Sequence, residues 1–367
     1  MILNEEQAML KETVAQFFAE QAPVACLRQL GEGSPSVAHD PHLWSEMVAL
    51  GLTGITVPEE FGGLNFGWLA VGAIAQEAGR RLVASPFLSS VVFAQNLLLN
   101  CGSRRQIETY LPELISGDQT GSVALDEGRF FNPHSTELSV VDGSLTGAKT
   151  RVLNGQTSNL LLCVARRESG ALGVALIPRD LTGVKVEAKR AMDLHGYASI
   201  SFTGVNEAHI EWLGGDSVDA GITRAIDQAT IVLAAEMMGS AREVLERTVQ
   251  YLGEREQFDV KLGSFQALQH RCAQMFCELE LAESAVSAAL TGLDENAANL
   301  SLLCSAAKAL ANDCFTLISS EAVQLHGGMG VTEEMDMGLF LKRSRVCNQL
   351  LGSSSYHRDR FARLHEF

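Results

Sequence analysis

Apolar positions recur at helical spacing over the first 118 or so residues, at the tighter spacing of short strands from about Gly121 to Gly215, and at helical spacing again from Ser217 to about Leu325. Asn4, with Gln7 three residues on, predicts a capping-box start to a helix whose apolar face is Met9, Leu10, Val14, Phe17 and Phe18. Asp40-Pro41 supplies a cap and then a proline at the first helical position, Leu43, Trp44, Met47 and Val48 form the stripe, and Gly51 offers a stop. Helical pattern returns over Gly67–Arg81 and Phe93–Leu99.

Between these helices and the C-terminal ones come eight runs rich in β-branched residues: Ser122–Leu125, Leu138–Val141, Lys149–Leu153, Leu160–Ala165, Leu172–Ile177, Val184–Glu187, Ser199–Phe202 and His209–Trp212. Asp142-Gly143 between two of them is the strongest hairpin signal in the chain. The helical pattern beyond Ser217 is broken at Gly253, at Gly263 and at Asp294-Glu295-Asn296, leaving segments of about the length a bundle needs. The expected architecture is α+β and mainly α: an N-terminal helical domain over residues 1–118, a central β-barrel or sandwich domain over 119–215, and a C-terminal four-helix bundle over 216–367.

Composition narrows the function classes. With 46% hydrophobic and 20% charged residues the chain has ample core for two or three domains. Its 28 basic against 44 acidic residues give a net charge of −16, which opposes binding to a polyphosphate and argues against a nucleic-acid partner. The opening Met1-Ile2-Leu3-Asn4-Glu5-Glu6 is acidic where a secretory signal would be basic and then apolar, and no apolar run is long enough to span a membrane, so the expected location is cytoplasmic. The eight cysteines form no Cys-x-x-Cys pair and mostly sit inside apolar helical pattern, which predicts reduced, buried thiols rather than zinc ligands or disulfides.

Three motifs occur in order: Val57-Pro58-Glu59-Glu60-Phe61-Gly62-Gly63; Arg255-Glu256-Gln257-Phe258 with Phe265-Gln266; and Gln324-Leu325-His326-Gly327-Gly328-Met329-Gly330. Together with Asp142-Gly143 leading into Gly147-x-Lys149, and with the helix, strand, helix order, they make the chain resemble the acyl-CoA dehydrogenases over nearly its whole length. The resemblance implies FAD, an acyl-CoA thioester oxidised across its α and β carbons with hydride passing to the flavin, and electron-transfer flavoprotein as the usual acceptor. It also implies a flavin site shared across a subunit interface. Arg255, Phe258, Gln266, Gln324, Gly327 and Gly328 stand where such enzymes contact the dinucleotide of a neighbouring subunit. A guanidinium fork pairs with a diphosphate bidentately, and glycines let backbone N–H groups approach phosphate oxygens.

The positions that the resemblance assigns to a chain's own flavin are changed. Asp126-Glu127-Gly128 and then Arg129-Phe130-Phe131 replace the usual Thr-Glu-Pro and small loop, which puts a carboxylate where a donor should meet developing negative charge. Arg151-Val152-Leu153-Asn154 replaces an aromatic and a hydroxyl residue. The base is changed as well. Counting from Gly328 brings Leu351 to the place of the usual catalytic glutamate, and counting back from Arg255 brings Ala229 to the alternative place. Glu236, two turns along the helix from Ala229, is the nearest acidic substitute, ahead of Asp126 and Glu127.

His326, His357 and His270 lack the neighbours of a metal site, Ser353-Ser354-Ser355 reads as a helix cap, and Lys342-Arg343-Ser344-Arg345 reads as a solvated helix face ahead of a contact with CoA phosphates. The pattern resembles the subunit without a base in the α2β2 acyl-CoA dehydrogenases of bacterial steroid side-chain degradation. It implies a homologous partner subunit carrying the glutamate. Two other expectations compete with it: a complete homomeric dehydrogenase using Glu236, and a flavin-free structural subunit.

Overall fold

The computed structural model describes residues 1–133, 135–214 and 218–367, so the expected domain boundary at 215/216 and the expected helix onset at Ser217 lie outside the described residues. The first third holds α1 (Glu5–Gln21), α2 (Val24–Glu32), α3 (Pro41–Ala49), α4 (Trp68–Arg81), α5 (Gln95–Cys101) and α6 (Arg104–Ser116). Asn4 Oδ1 accepts from the Gln7 amide at 2.8 Å and Gln7 Oε1 from the Asn4 amide at 3.2 Å, which closes the capping box. Asp40 caps α3 through the His42 amide at 2.8 Å, and Gly51 turns the chain at φ +74° just past that helix. Helical pattern predicts ordinary helix from Phe93, but Phe87–Ala94 is a fully buried π-helical segment that runs into α5.

Eight strands follow: β1 (Gly121–Ala124), β2 (Ser139–Val141), β3 (Ser144–Leu153), β4 (Leu160–Arg166), β5 (Leu172–Pro178), β6 (Val184–Arg190), β7 (Gly196–Asn206) and β8 (Glu211–Leu213). They form one mixed sheet in the order β6-β7-β3-β2-β4-β5-β8, with β1 lying parallel to β4 off that path. Asp142 and Gly143, at φ +48° and +70°, make a two-residue turn that pairs Val141 with Ser144. Pairing starts at the first residue past the turn, so β3 begins five residues before the run that the sequence suggests. The last expected strand shifts the other way. Asn206 Oδ1 accepts the Ala208 amide at 2.9 Å and winds Glu207–His209 into a short 3-10 turn, leaving Glu211–Leu213 as the strand. β4 is buried along Leu160–Ala165, as a strand covered on both faces must be. Its Leu161, Cys163 and Ala165 pack with Leu145, Val152, Ile177, Ile200 and Phe202 in one core.

The remainder is α7 (Asp219–Glu254), a hairpin of β9 (Glu256–Gln257) and β10 (Val260–Lys261), α8 (Gln266–Asp294), α9 (Leu300–His326), α10 (Met337–Gln349) and α11 (Ser354–Leu364). Gly253 does not break α7. A lone glycine costs a helix only about 1 kcal/mol, and packing along 36 residues outweighs that. The described residues divide into two compact units, one of Met1–Ala25, Trp68–Val83 and Thr230–Phe367, the other of Cys26–Gly67 and Ala84–Ala229.

Within the first of these units α4 and α7 meet backbone to backbone. A Cβ on Gly79 would lie 2.0 Å from the Glu236 carbonyl oxygen, and one on Gly239 1.9 Å from the Gln76 carbonyl oxygen. Ser240 Oγ donates to Gly79 O at 2.8 Å across the same contact. The Asp294 carboxylate caps α4 from the end of α8, accepting from the Trp68 and Leu69 amides at 2.6 and 3.2 Å. Gly239→Ala is expected to lower stability by about 1–3 kcal/mol, the usual cost of overpacking, read as a reduced midpoint in thermal unfolding. Gly253→Ala on the same helix, where a Cβ meets nothing within 4 Å, should be neutral or stabilising by about 1 kcal/mol.

Candidate cofactor site

The end of α7 holds Arg255 by its backbone. Its amide donates to Tyr251 O at 2.8 Å and its carbonyl accepts from Leu262 N at 2.8 Å, while the residue is exposed. The β9–β10 turn is Phe258-Asp259, both at positive φ (+57° and +62°), and Phe258 is 86% exposed with its ring edge-on to Phe265. A bulky residue in this region costs of order 1–3 kcal/mol, and strain of that kind collects at functional positions. Gln266 opens α8, Gln324 lies in the last turn of α9, and both are exposed. Gly327 leaves the helix at φ +59°. Gly328 has no such conformational demand, and a Cβ there would meet no atom within 4 Å. Nothing in the chain's own packing requires Gly328 to lack a side chain. The stack of Tyr251 on His326, 4.3 Å between ring centroids, brings the end of α7 beside the end of α9.

In the unit that contains the sheet, the residues around Asp126 are already engaged with one another. Arg151, at φ +52° in β3, donates from Nε to Asp126 Oδ2 at 3.1 Å and from Nη1 to Arg129 O at 3.4 Å. Burial raises the Asp126 carboxyl above the usual range, against the pull of Arg151. Beside this pair the fully buried Lys149 donates to Leu125 O at 3.1 Å and Glu127 Oε1 at 2.6 Å, and Glu127 also accepts the Glu137 and Leu138 amides at 2.6 and 3.0 Å. Glu127 is therefore a structural acceptor. Leu153 occupies the expected hydroxyl position, and its carbonyl accepts from Ser122 Oγ at 2.7 Å.

Leu351 lies in the connection between α10 and α11, 5% exposed and at φ +56°. Two groups that sequence pattern does not single out for this purpose hold the connection. Lys308, fully buried on α9, donates to Asn312 Oδ1, Cys347 O and Gly352 O at 2.7, 2.9 and 3.1 Å, and burial brings its pKa down to about 7. His357 Nε2–H donates to Leu351 O at 2.9 Å. Ala229 is buried on α7 and offers only a methyl group. Glu236 Oε1 accepts from both Nε and Nη2 of Arg343, at 2.9 and 2.6 Å. Arg343 is 3% exposed and Ser344, bonded to Ser319 Oγ at 2.9 Å, is 1% exposed, so the Lys342–Arg345 run is not a solvated face. Successive helical residues point 100° apart, which leaves only Lys342 and Arg345 outside.

Profiles of this chain and its relatives agree on its ancestry. The acyl-CoA dehydrogenase N-terminal domain matches residues 4–118 and the acyl-CoA dehydrogenase C-terminal domain residues 220–364. The acyl-CoA dehydrogenase IpdE2 of Mycobacterium tuberculosis is 31% identical over 352 residues, covering 95% of this chain and 94% of that one. The chain belongs to the acyl-CoA dehydrogenase family. Among solved structures, the Tcur3481-Tcur3483 steroid ACAD is 27% identical with a TM-score of 0.89 over 99% of this chain and 98% of that one. The ChsE4-ChsE5 complex from Mycobacterium tuberculosis shares the fold, with a TM-score of 0.89 at 24% identity over 100% and 99% of the two chains.

Acyl-CoA dehydrogenases are oxidoreductases that bind FAD. Their cofactor suits one set of residues here and not the other. The exposed set offers a guanidinium, two carboxamides and glycine amides beneath open space, which is the donor chemistry a diphosphate requires. The Asp126 set offers a buried carboxylate already paired with an arginine, which does not suit a ring that gains negative charge on reduction.

The remaining candidates are capping, hydrogen-bonded or exposed residues. His326 Nδ1 bonds to Ala322 O at 2.8 Å, His270 is exposed on α8, and among the described residues no cluster of three or more His, Cys, Asp or Glu could hold a metal. Ser353 caps α11 by accepting the Tyr356 amide at 3.3 Å. Five of the eight cysteines are buried, but Cys26 and Cys277 are exposed and Cys272 is half-buried, because α2 and α8 carry them on their outer faces. Among the described residues no helix is long and apolar enough to cross a membrane.

Burial, with Lys308 and Arg360 nearby, pushes the His357 pKa down to about 3. The unfolded chain therefore takes up a proton below about 6.5 that the folded chain refuses, and stability is lost as pH falls from there toward 3. His357→Gln keeps a donor for Leu351 O but cannot ionise. Its unfolding midpoint should decline less steeply than that of the wild type over that interval.

Proposed function

We propose that this chain is the non-basic subunit of a heteromeric acyl-CoA dehydrogenase. It lends Arg255, Phe258, Gln266, Gln324, Gly327 and Gly328 to FAD held mainly by a homologous subunit that carries the catalytic glutamate. One contrast carries this reading. The positions that would serve the chain's own flavin and base are filled by the Asp126–Arg151 ion pair and by buried Leu351, while the set facing outward keeps its chemistry.

When bound, FAD supplies the two-electron acceptor for α,β-dehydrogenation of an acyl-CoA thioester. This chain's part is binding and orientation. The Arg255 fork would neutralise the diphosphate, the Gly327 and Gly328 amides would approach its oxygens, and the strained Phe258 turn would offer an exposed aromatic face. Removal of the α proton falls to the partner, since Leu351 cannot accept one. The likeness to a steroid ACAD makes a bulky polycyclic acyl-CoA the favoured substrate class, with electron-transfer flavoprotein as the oxidant of the reduced cofactor.

The Arg343 contact weighs against Glu236 as base, because one of its carboxylate oxygens already receives two N–H donors from a buried guanidinium, which commits the side chain to a structural pair. Glu236→Gln should destabilise the fold by about 3–5 kcal/mol, the cost of leaving a buried charge unpaired. Turnover per folded molecule should stay within about threefold, whereas loss of a true base costs about 10²- to 10⁴-fold. Purified alone, the chain should retain far less than one FAD per polypeptide; joined to the base-bearing subunit it should retain one per pair. Arg255→Ala in that complex should weaken flavin binding by about tenfold or more, as loss of a charge-assisted bond does. One FAD per chain with acyl-CoA oxidation by the isolated protein rejects the assignment, and unchanged flavin content in Arg255→Ala favours a flavin-free structural role.

A further inference from the structure

The two parts of the outward-facing set come from different helices, and a diphosphate can use both only if their separation is fixed. We infer that the Tyr251–His326 ring stack is the positioning element that sets the distance between Arg255 and the Gly327–Gly328 loop. The inference rests on the reading of those residues as dinucleotide contacts and adds two residues that do not themselves touch the ligand.

Tyr251 acts at both ends. Its carbonyl accepts the Arg255 amide at 2.8 Å, so it carries the arginine's backbone, and its half-buried ring lies on the His326 imidazole with centroids 4.3 Å apart and planes 24° from parallel. His326 is equally constrained. It is 3% exposed, its Nδ1–H donates to Ala322 O one turn back at 2.8 Å, and burial lowers its pKa. Gly327 follows directly. Three residues further, a Cβ on Gly330 would lie 2.5 Å from Val323 O and 3.0 Å from His326 Cβ, so the loop folds back onto the turn of α9 that carries the ring. Residues 327–329 project from a base fixed at both ends, and the base is fixed to α7 by the stack. An offset of about 1 Å in such a support loosens a site that must present two sets of donors to one ligand.

The test uses the complex of the full chain with its base-bearing subunit, stripped of flavin and titrated with FAD by fluorescence, with thermal unfolding followed in parallel. Tyr251→Ala should weaken FAD binding by about tenfold, the upper range for one aromatic pair. Tyr251→Phe and His326→Phe, which preserve ring against ring, should bind within about twofold of wild type. A purely structural role would make FAD affinity follow the unfolding midpoint and ignore whether the rings still stack. The inference is overturned if Tyr251→Ala binds FAD as wild type does while Arg255→Ala binds it weakly. If Arg255→Ala also binds normally, the dinucleotide reading falls and this inference with it. Should Tyr251→Ala fail to fold, His326→Leu fills the same space without an aromatic face and is judged by the same comparison.

Discussion

Gly79 and Gly239 let α4 and α7 touch along their peptide backbones, and this contact fixes the height and rotation of the longest helix in the protein. Any side chain at either glycine would have to occupy space held by a carbonyl group, which has no rotamer to yield. The consequences run along α7. Glu236, whose carbonyl lies against Gly79, presents its carboxylate to Arg343 of α10. One turn beyond Gly239, Glu243 receives Arg80 of α4 at 2.8 Å and Arg247 at 2.7 Å, and Arg247 continues to Asp336 at 3.0 Å. Helical rise then carries Tyr251 about 18 Å past Gly239 with little freedom to drift, and Arg255 follows it.

Asp126, Arg151 and the Arg129 carbonyl form a closed set of contacts. Without Arg151 the Asp126 carboxylate would lose its hydrogen-bonded counter-charge and keep only the more distant Lys149, and without Asp126 the Arg151 guanidinium would have only the Arg129 carbonyl to meet. Each residue makes the other tolerable, since a partly buried charge left without its partner is costlier than the pair. Next to them Lys149 and Glu127 are fully engaged with backbone groups, so the β-sheet keeps its charged brace whatever happens to the ligand side.

Three residues with large side chains lie in the left-handed region at the places where chemistry is expected: Arg151, Phe258 and Leu351. Each is held there by backbone pairing or a side-chain clamp rather than by its own conformational preference. A bulge in the pairing of β3 with β7 spans Arg151, hairpin pairing of Gln257 with Val260 fixes Phe258, and Lys308 with His357 clamps the carbonyls around Leu351. At Leu351 the clamp thus holds a left-handed backbone beneath a side chain that cannot exchange a proton.

Sequence by itself determined the local structure: the Asn4 and Asp40 caps, the Asp142-Gly143 turn, the helix, strand and helix succession, and the absence of an ionisable group at 351. These are properties of neighbours in the chain, carried by backbone preference and apolar period. It also singled out the glycine loop and Arg255 as candidates, because motif spacing is legible without coordinates. Tertiary structure alone decided which charges are paired. Arg343 and Glu236 lie 107 residues apart and Lys308 and Gly352 lie 44 apart, and no periodicity encodes which buried donor meets which acceptor. The Lys342–Arg345 run reads as solvated because its composition is basic, yet helix rotation sends Arg343 inward to a carboxylate that only the fold supplies. The π-helical segment at Phe87–Ala94 is illegible for a related reason: its hydrogen bonding departs from the α pattern while its composition remains that of any buried helix.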